Sequence, residues 1–153
     1  MSKPIFSRLD VEPAIGANPV QAVVPIHEHV QFIRLVDEAA RGIAGQDCRD
    51  LRCLVDSHTA ANCAQVRELL GQVSDMRIVG DYPPSWSKPG GVLCLPRGAQ
   101  LGVKDHFFVV MAPDLHLAIL GTADVETADR AGAFSGGWTI HPDCAVSAAR
   151  LVL

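Results

Sequence analysis

The chain lacks the features that mark several large classes of protein. It contains no run of five or more like charges, and 13 lysines and arginines against 17 aspartates and glutamates give a net charge of −4. A nucleic-acid surface is basic, so this balance argues against nucleic acid as a partner. The longest apolar runs are too short to cross a bilayer, and the first four residues do not resemble a signal peptide. We therefore expect a cytoplasmic protein with no membrane partner.

Familiar metal-binding and phosphate-binding motifs are also missing. The chain has no C-x-x-C pair, no H-E-x-x-H and no G-x-G-x-x-G. His27 and His29 are two residues apart, so on a helix they point to different faces and do not readily share one ion. The other histidines lie in separate segments without ligand spacing: His58, His106, His116 and His141. This pattern predicts no metal site, although a single axial ligand to a tetrapyrrole needs no spacing.

One group of residues has the composition of a nucleophilic site. Cys144 follows His141 and Asp143 at the start of the last predicted helix, where a helix dipole can lower a thiol pKa. The group has no supporting glycine elbow for an oxyanion hole. A small cysteine-dependent enzyme is therefore the third functional hypothesis. The five cysteines are more typical of small buried hydrophobic residues.

The stretch from Asp105 to Asp124 is the most strongly patterned part of the chain. It holds two dense apolar runs, 107–111 and 115–120, separated by Ala-Pro-Asp at 112–114. Proline and aspartate are typical turn residues, and short apolar runs bounded by turns are typical of buried strands. The pattern predicts a β-hairpin at the centre of a sheet, covered on both faces.

The remaining segments complete an α/β domain. Apolar residues recur at three- and four-residue steps over 26–44, which predicts an amphipathic helix that Pro25 precedes and Gly45 caps. A strand–helix–strand pattern follows, which predicts a parallel βαβ unit. The predicted elements of that unit and of the rest of the chain are strand 51–56, helix 60–73 with a cap at 57–59, strand 76–79, strand 91–95, strand 134–140, and a last helix that begins at 141–143.

The length of 153 residues and the 48% of hydrophobic residues favour one packed domain. We expect a single α/β domain with a central mixed β-sheet, a βαβ unit, a central hairpin and helices on both faces. Residues 1–25, which contain four prolines, are predicted to be a lead-in or arm, and residues 26–153 the domain. The last helix ends on Leu-Val-Leu without a cap, which predicts either that the sequence is a piece cut from a longer protein or that the helix continues toward another domain.

A ligand site is predicted where the first strand of the βαβ unit ends. Asp56 ends that strand and His58 begins the next helix, the position at which open α/β sheets gather ligands. If Trp138 lies on a neighbouring strand, its ring would form one wall of a pocket, and His106 is a further candidate residue. The alternative is a hydrogen-bonded capping histidine beside a core tryptophan. Tyr82 and Trp86 lie in a proline-rich loop and are candidates for a lid or a partner contact.

The sequence resembles the DICT sensory domain in two signatures. The first is Phe-Ser-Gly-Gly-Trp-Thr-Ile-His-Pro-Asp at 134–143, followed by a helix. The second is the hairpin stretch 105–124, in which Asp-His stands where the family tends to have Glu-Trp. The similarity runs from near Val30 to the end of the chain. It also differs at 55–58, where Val-Asp-Ser-His replaces a more aromatic segment.

The resemblance implies a non-enzymatic sensory or regulatory module of bacterial signal transduction, a type found beside diguanylate cyclases and histidine kinases. It implies a homodimer, a signalling partner or a downstream output domain, and it assigns no catalytic residue. The second hypothesis is a small-molecule or tetrapyrrole-binding domain, with His58 or a cysteine as its anchor.

Overall fold

A computed structural model describes residue 5 and residues 24–45, 50–70, 72–73, 75–80, 92–98, 101–123 and 133–152. These residues form seven strands and four helices. In chain order they are β1 (Val24–Glu28), α1 (His29–Ala44), β2 (Arg52–Asp56), α2 (Ser57–Asn62), α3 (Ala64–Leu69), β3 (Asp75–Val79), β4 (Val92–Leu95), β5 (Asp105–Ala112), β6 (Leu115–Ala123), β7 (Ala133–Thr139) and α4 (Pro142–Val152).

All seven strands belong to one mixed sheet, in the order β1-β7-β6-β5-β2-β3-β4. Strands β2, β3 and β4 are parallel, and every other neighbouring pair is antiparallel. The β5–β6 hairpin lies in the middle, and the β2–β3 pair forms the predicted βαβ unit. The fold class expected from the sequence is therefore confirmed.

Each face of the sheet is covered by its own apolar core. Side chains alternate across a strand, so neighbours in β5 point to opposite faces. Phe108 and Val110 pack with Phe32 and Val66 of α1 and α3, whereas Val109 packs with Ala148 of α4. This double burial explains why the hairpin sequence is continuously apolar rather than alternating.

Helix α1 begins later than the sequence pattern predicts. Ile26 does not start a helix but lies in β1, and Pro25 occupies the same strand, paired with Gly137. Because β1 is at an edge of the sheet, a proline there removes no bond to an outer neighbour. Of the apolar residues in the predicted helix pattern, Val36, Ala40 and Ile43 are buried in α1, whereas Val30 in its first turn is 50% exposed.

The prediction of one helix over 60–73 is wrong in detail, because the structure has two short helices, α2 and α3. Cys63 lies between them and has an extended backbone, with φ −118° and ψ 103°. Its cap is the side chain of Asp56, which accepts a hydrogen bond from Thr59 N, rather than a residue of 57–59. Gly45 caps α1 and Pro142 begins α4, as predicted.

Only part of the predicted lead-in 1–25 lies among the described residues. Ile5 is fully buried in the core on the α4 face, and its backbone N–H donates to Thr122 Oγ1 at 2.7 Å. Val24 and Pro25 belong to β1. None of the described helices has the length and hydropathy needed to cross a membrane.

Candidate functional site

Polar side chains from four segments meet at the carboxyl end of β2, on the sheet face that α1 covers. Asp56 is the last residue of β2, and His58 lies in the first turn of α2. His29 is the first residue of α1, and His106 is the second residue of β5. Because β5 runs antiparallel to β2, the first residues of β5 lie beside the last residues of β2. The topology therefore brings together residues that lie up to 77 positions apart in the chain.

Asp56 organises this end of the sheet through three hydrogen bonds. Its side chain is 1% exposed. Oδ1 accepts from Phe107 N at 2.9 Å, and Oδ2 accepts from Thr59 N at 3.1 Å and lies 2.8 Å from His106 Nδ1. An ionised carboxylate has no proton to donate, so His106 donates from Nδ1. In the neutral ring this leaves the lone pair on His106 Nε2, at the other side of the imidazole.

The three histidines form a compact cluster, defined here as His29, His58 and His106. The ring centroids are 5.0 Å apart for His29 and His106, 4.9 Å for His58 and His106, and 5.8 Å for His29 and His58. Each histidine has one ring nitrogen that lies within 4.8 Å of a ring nitrogen of each of the other two. His106 is buried, His29 is half-buried and His58 is exposed, so the cluster opens to solvent on the side of His58.

Two phenylalanines form an aromatic floor beneath the cluster. The Phe134 ring stacks on His29 at 5.4 Å with an interplanar angle of 2°, and the Phe32 ring contacts both Phe134 and His106. Phe134 reaches this position because Gly121, on the neighbouring strand, has no side chain. A Cβ at Gly121 would overlap the Phe134 ring.

His29, a member of the cluster, has an unsatisfied polar atom. Its Nε2 is inaccessible to solvent and has no hydrogen-bond partner. A buried polar group without a partner typically costs about 1–3 kcal/mol. Burial lowers the pKa of His29, the charges of His106 and His58 lower it further, and Asp56 opposes the change. The lowered pKa favours the neutral form of the His29 imidazole, and its Nε2 makes no hydrogen bond.

The sequence-predicted site is partly assembled here. Asp56, His58 and His106 meet, but Trp138 does not reach them. Trp138 pairs with Ile119, which pairs with Phe108, so the tryptophan lies two strands away from His106 and two residues further along. It is half-buried against the core on the α1 face. Phe134, four residues earlier in β7, supplies the aromatic wall that was predicted for Trp138.

The other predicted contact residues do not bear on this geometry. Tyr82 and Trp86 lie outside the described residues. Cys144 is buried, and that burial raises the pKa of its thiol; Asp143 raises it too, whereas a hydrogen bond with Thr139 lowers it. His141 Nδ1 accepts from Asp143 N at 3.2 Å. The arrangement at the start of α4 therefore does not favour Cys144 as a nucleophile.

A second polar region lies at the opposite end of the same strands. A depression of about 550 Å³ there is lined by Asp50, Leu51, Arg52, Asp75, Met111, Ala112, Pro113 and His116. Asp75 accepts from Arg52 Nε at 2.7 Å and from Arg77 Nε at 3.1 Å. Burial acts to raise the pKa of Asp75, but the hydrogen bonds and charges of Arg77 and Arg52 outweigh it and lower the pKa. The charges of Asp75, Arg52 and Arg77 compensate one another, so this group has no unpartnered polar atom comparable to His29 Nε2.

Sequence reasoning missed His29, Phe32 and Phe134 as members of the site. It set His29 aside because of its spacing from His27, but His27 lies in β1 and only His29 starts the helix. A usable signal was present for two of the three histidines, since His58 and His106 each lie next to the end of a predicted strand or helix, whereas His29 lies inside the helix predicted over 26–44. Such ends meet at the edge of a sheet even when the residues are far apart in the chain.

The histidine cluster has a definite chemical capacity. An unprotonated imidazole offers a lone pair to a metal ion or to a hydrogen-bond donor, and the cluster is exposed to solvent on the side of His58. Comparison of the chain with family models, with curated proteins and with solved structures found no match in any of the three. The resemblance to the DICT sensory domain stays a prediction.

Proposed function

We propose that this chain is a non-enzymatic regulatory domain that binds a ligand at His29, His58 and His106. Ligand occupancy is passed to a second copy of the chain, a signalling partner or a downstream output domain. The observation that supports this proposal is the convergence of three histidines around an unsatisfied buried nitrogen. Such a group is strained without a ligand and is satisfied when one binds.

The position of the histidines in the fold suggests how binding is transmitted. His106 belongs to the central strand β5, whereas His29 and His58 lie in the first turns of separate helices. A ligand that contacts all three draws both helix starts toward the sheet. Helix α1 also contacts the α2–α3 segment through Cys63 Sγ with Ile33 O and through Gln65 N with Asp37 Oδ1. The two helical segments should therefore move together.

The strand before His29 is suited to such a movement. β1 is an edge strand, and its register with β7 is irregular between Ile26 and Glu28, immediately before His29. Irregular pairing of this kind is common beside functional sites, where it redirects a strand. A displacement of His29 would therefore also move the edge strand β1, to which a partner chain can bind.

Hydrogen exchange tests this proposal on the purified chain. The protein as isolated is compared with protein that has been stripped by unfolding in guanidinium chloride and refolded. Loss of the bound ligand should increase exchange in 24–44 more than in α4, which lies on the opposite face. Unchanged exchange in 24–44 would contradict the relay, and hydrolysis of a generic ester or phosphoester that is lost in His106→Ala would contradict a non-enzymatic role.

A tetrapyrrole-binding domain is the second candidate. The observation that favours it is the aromatic floor, because the buried rings of Phe134 and Phe32 pack against His29 and His106, imidazoles of the kind suited to axial ligation. The purified protein would then show a strong visible absorption band that disappears in His58→Ala or His106→Ala. A colourless protein without a retained organic ligand in native mass spectrometry would rule this candidate out.

A further inference from the structure

We infer that His29, His58 and His106 bind a divalent transition metal ion of the zinc type. The inference rests on the proposed function, because it identifies the ligand of the same regulatory site. Three observations support it. The ring nitrogens of the three histidines lie close together, His106 Nδ1 is hydrogen-bonded to Asp56, and His29 Nε2 has no hydrogen-bond partner.

The separations of the donor atoms suit a single ion. The three ligand atoms lie within 4.8 Å of one another. Zinc–nitrogen bonds are about 2.0–2.1 Å long, so side-chain shifts of about 1 Å bring all three atoms into coordination. His58 and His29 lie at helix starts, where small rotations supply such shifts. The cluster is therefore close to a coordination geometry before any ion binds.

His106 has the hydrogen-bonding pattern of a metal ligand. Metal-binding histidines usually donate their second ring nitrogen to a carboxylate or carbonyl, which orients the ring and makes the other nitrogen more basic. Asp56 Oδ2 lies 2.8 Å from His106 Nδ1 in this role. Asp56 is itself fixed by Phe107 N and Thr59 N. The lone pair of His106 Nε2 is therefore held in one orientation.

His29 provides the second, independent observation. Its Nε2 is buried beside two other imidazoles and has no hydrogen-bond partner. Stacking on Phe134 holds the ring in place, so the nitrogen cannot turn toward solvent without losing that contact. A metal ion at the centre of the cluster would satisfy this nitrogen directly.

The donor set and the opening indicate which ions fit. Three imidazoles without a thiolate or a coordinating carboxylate suit zinc, cobalt, nickel and copper, whereas magnesium and calcium prefer oxygen ligands. His58 is exposed, so the fourth position faces solvent and accepts water or a small anion. Three protein ligands with one open position form the arrangement of exchangeable zinc sites rather than of closed structural ones.

Metal titration of the whole chain tests the inference. The protein is stripped with a chelator and titrated with Zn²⁺ by calorimetry and with Co²⁺ by visible absorption, which reports four-coordinate geometry. We expect one ion per chain. His29→Ala, His58→Ala and His106→Ala should each weaken Zn²⁺ binding at least 100-fold, and Asp56→Asn should weaken it about 10–100-fold because Asp56 orients His106 without contacting the ion.

Matched controls separate the cluster from ordinary surface histidines. His27→Ala changes an exposed histidine two residues from His29, and His116→Ala changes one at the other end of the sheet. Both variants should bind Zn²⁺ as the wild type does. Circular dichroism confirms that each variant is folded, and His29→Gln provides a polar replacement if His29→Ala unfolds. Failure to bind one Zn²⁺ per chain, or equal binding in the wild type and the folded cluster variants, overturns the inference.

The same titration distinguishes this inference from the proposed function. If one Zn²⁺ binds at the cluster and hydrogen exchange in 24–44 is unchanged, the metal site stands and the regulatory relay fails. If no Zn²⁺ or Co²⁺ binds but a retained organic ligand is lost in His106→Ala, the metal inference fails and the regulatory site stands.

Discussion

The two ends of strand β2 each carry a charged network around an aspartate, but the networks differ in kind. At the amino end, Asp75 of β3 is 34% exposed and pairs with Arg52 and Arg77. At the carboxyl end, Asp56 is 1% exposed and bonds a histidine and two backbone amides. The depression of about 550 Å³ lies at the amino end, whereas the buried His29 nitrogen without a hydrogen-bond partner lies at the carboxyl end. The candidate site is therefore assigned from unsatisfied hydrogen bonding and not from cavity volume.

The sharpest test of this contrast is to remove the two aspartates. Asp56→Ala leaves two buried amides and the His106 Nδ1 proton without an acceptor, so we expect it to lower the free energy of unfolding by about 3–5 kcal/mol. Urea denaturation followed by circular dichroism measures the change. Asp75→Ala is the matched control. Equal losses from the two substitutions would remove the distinction between the ends.

A glycine substitution tests the carboxyl end without touching a polar group. Gly121→Ala places a Cβ in the space of the Phe134 ring, so we expect a loss of about 1–3 kcal/mol in the free energy of unfolding and weaker Zn²⁺ binding. Gly42→Ala is the control, because a Cβ there meets nothing within 4 Å and favours α1. Urea denaturation of both variants decides the matter: a Gly121→Ala variant as stable as Gly42→Ala would show that the aromatic floor can move freely.

The unsatisfied nitrogen predicts a change of opposite sign. His29→Leu removes a buried polar atom without a partner and keeps the contact with Phe134, so we expect the metal-free chain to gain about 1 kcal/mol in stability. The same variant should lose Zn²⁺ binding. Thermal unfolding with and without Zn²⁺ measures both effects, with His27→Leu as the control. A large loss of stability in the metal-free chain would show that His29 has a structural bond that the geometry does not reveal.

The smallest effect is expected at the amino end. The pKa of Asp75 is lowered in the folded chain, so its contribution to stability is present above the ordinary carboxyl pKa of 3.8 and is lost as the pH falls through the folded value. The pair is partly exposed, and Asp75→Asn should cost less than about 1 kcal/mol at neutral pH. Unfolding measured from pH 7 to pH 3 should show the difference between variant and wild type narrowing below the ordinary carboxyl pKa of 3.8. An undiminished difference at pH 3 would contradict this account.

Much of the fold follows from local sequence pattern. Dense apolar runs around a Pro-Asp turn placed the hairpin, and the strand–helix–strand pattern placed β2 and β3, because these signals depend on neighbouring residues only. The start of α1 was mispredicted for a related reason. Ile26 is in step with the apolar residues of the helix pattern over 26–44, and only the pairing of Val24–Glu28 with β7 makes it a strand residue.

Local sequence pattern predicts less of the candidate site than of the fold. Asp56 and His58 were found because they lie together at the end of a strand. His29 and Phe134 join them only through the order β1-β7-β6-β5-β2, which spacing along the chain does not determine. Trp138 was predicted to form the wall of the pocket, yet Phe134 takes that place, because the gap at Gly121 accommodates its ring.

Asp56 bonds residues that are far apart in the chain and are therefore synthesised at different times. Its bonds to His106 and Phe107 span about fifty residues, so the histidine cluster cannot assemble until β5 has docked beside β2. A ligand of this site therefore binds the finished sheet and not its early fragments. By mass action, each bound ligand then raises the energy needed to open the whole domain. Resistance to proteolysis should rise with ligand concentration across the chain, including segments far from the histidines.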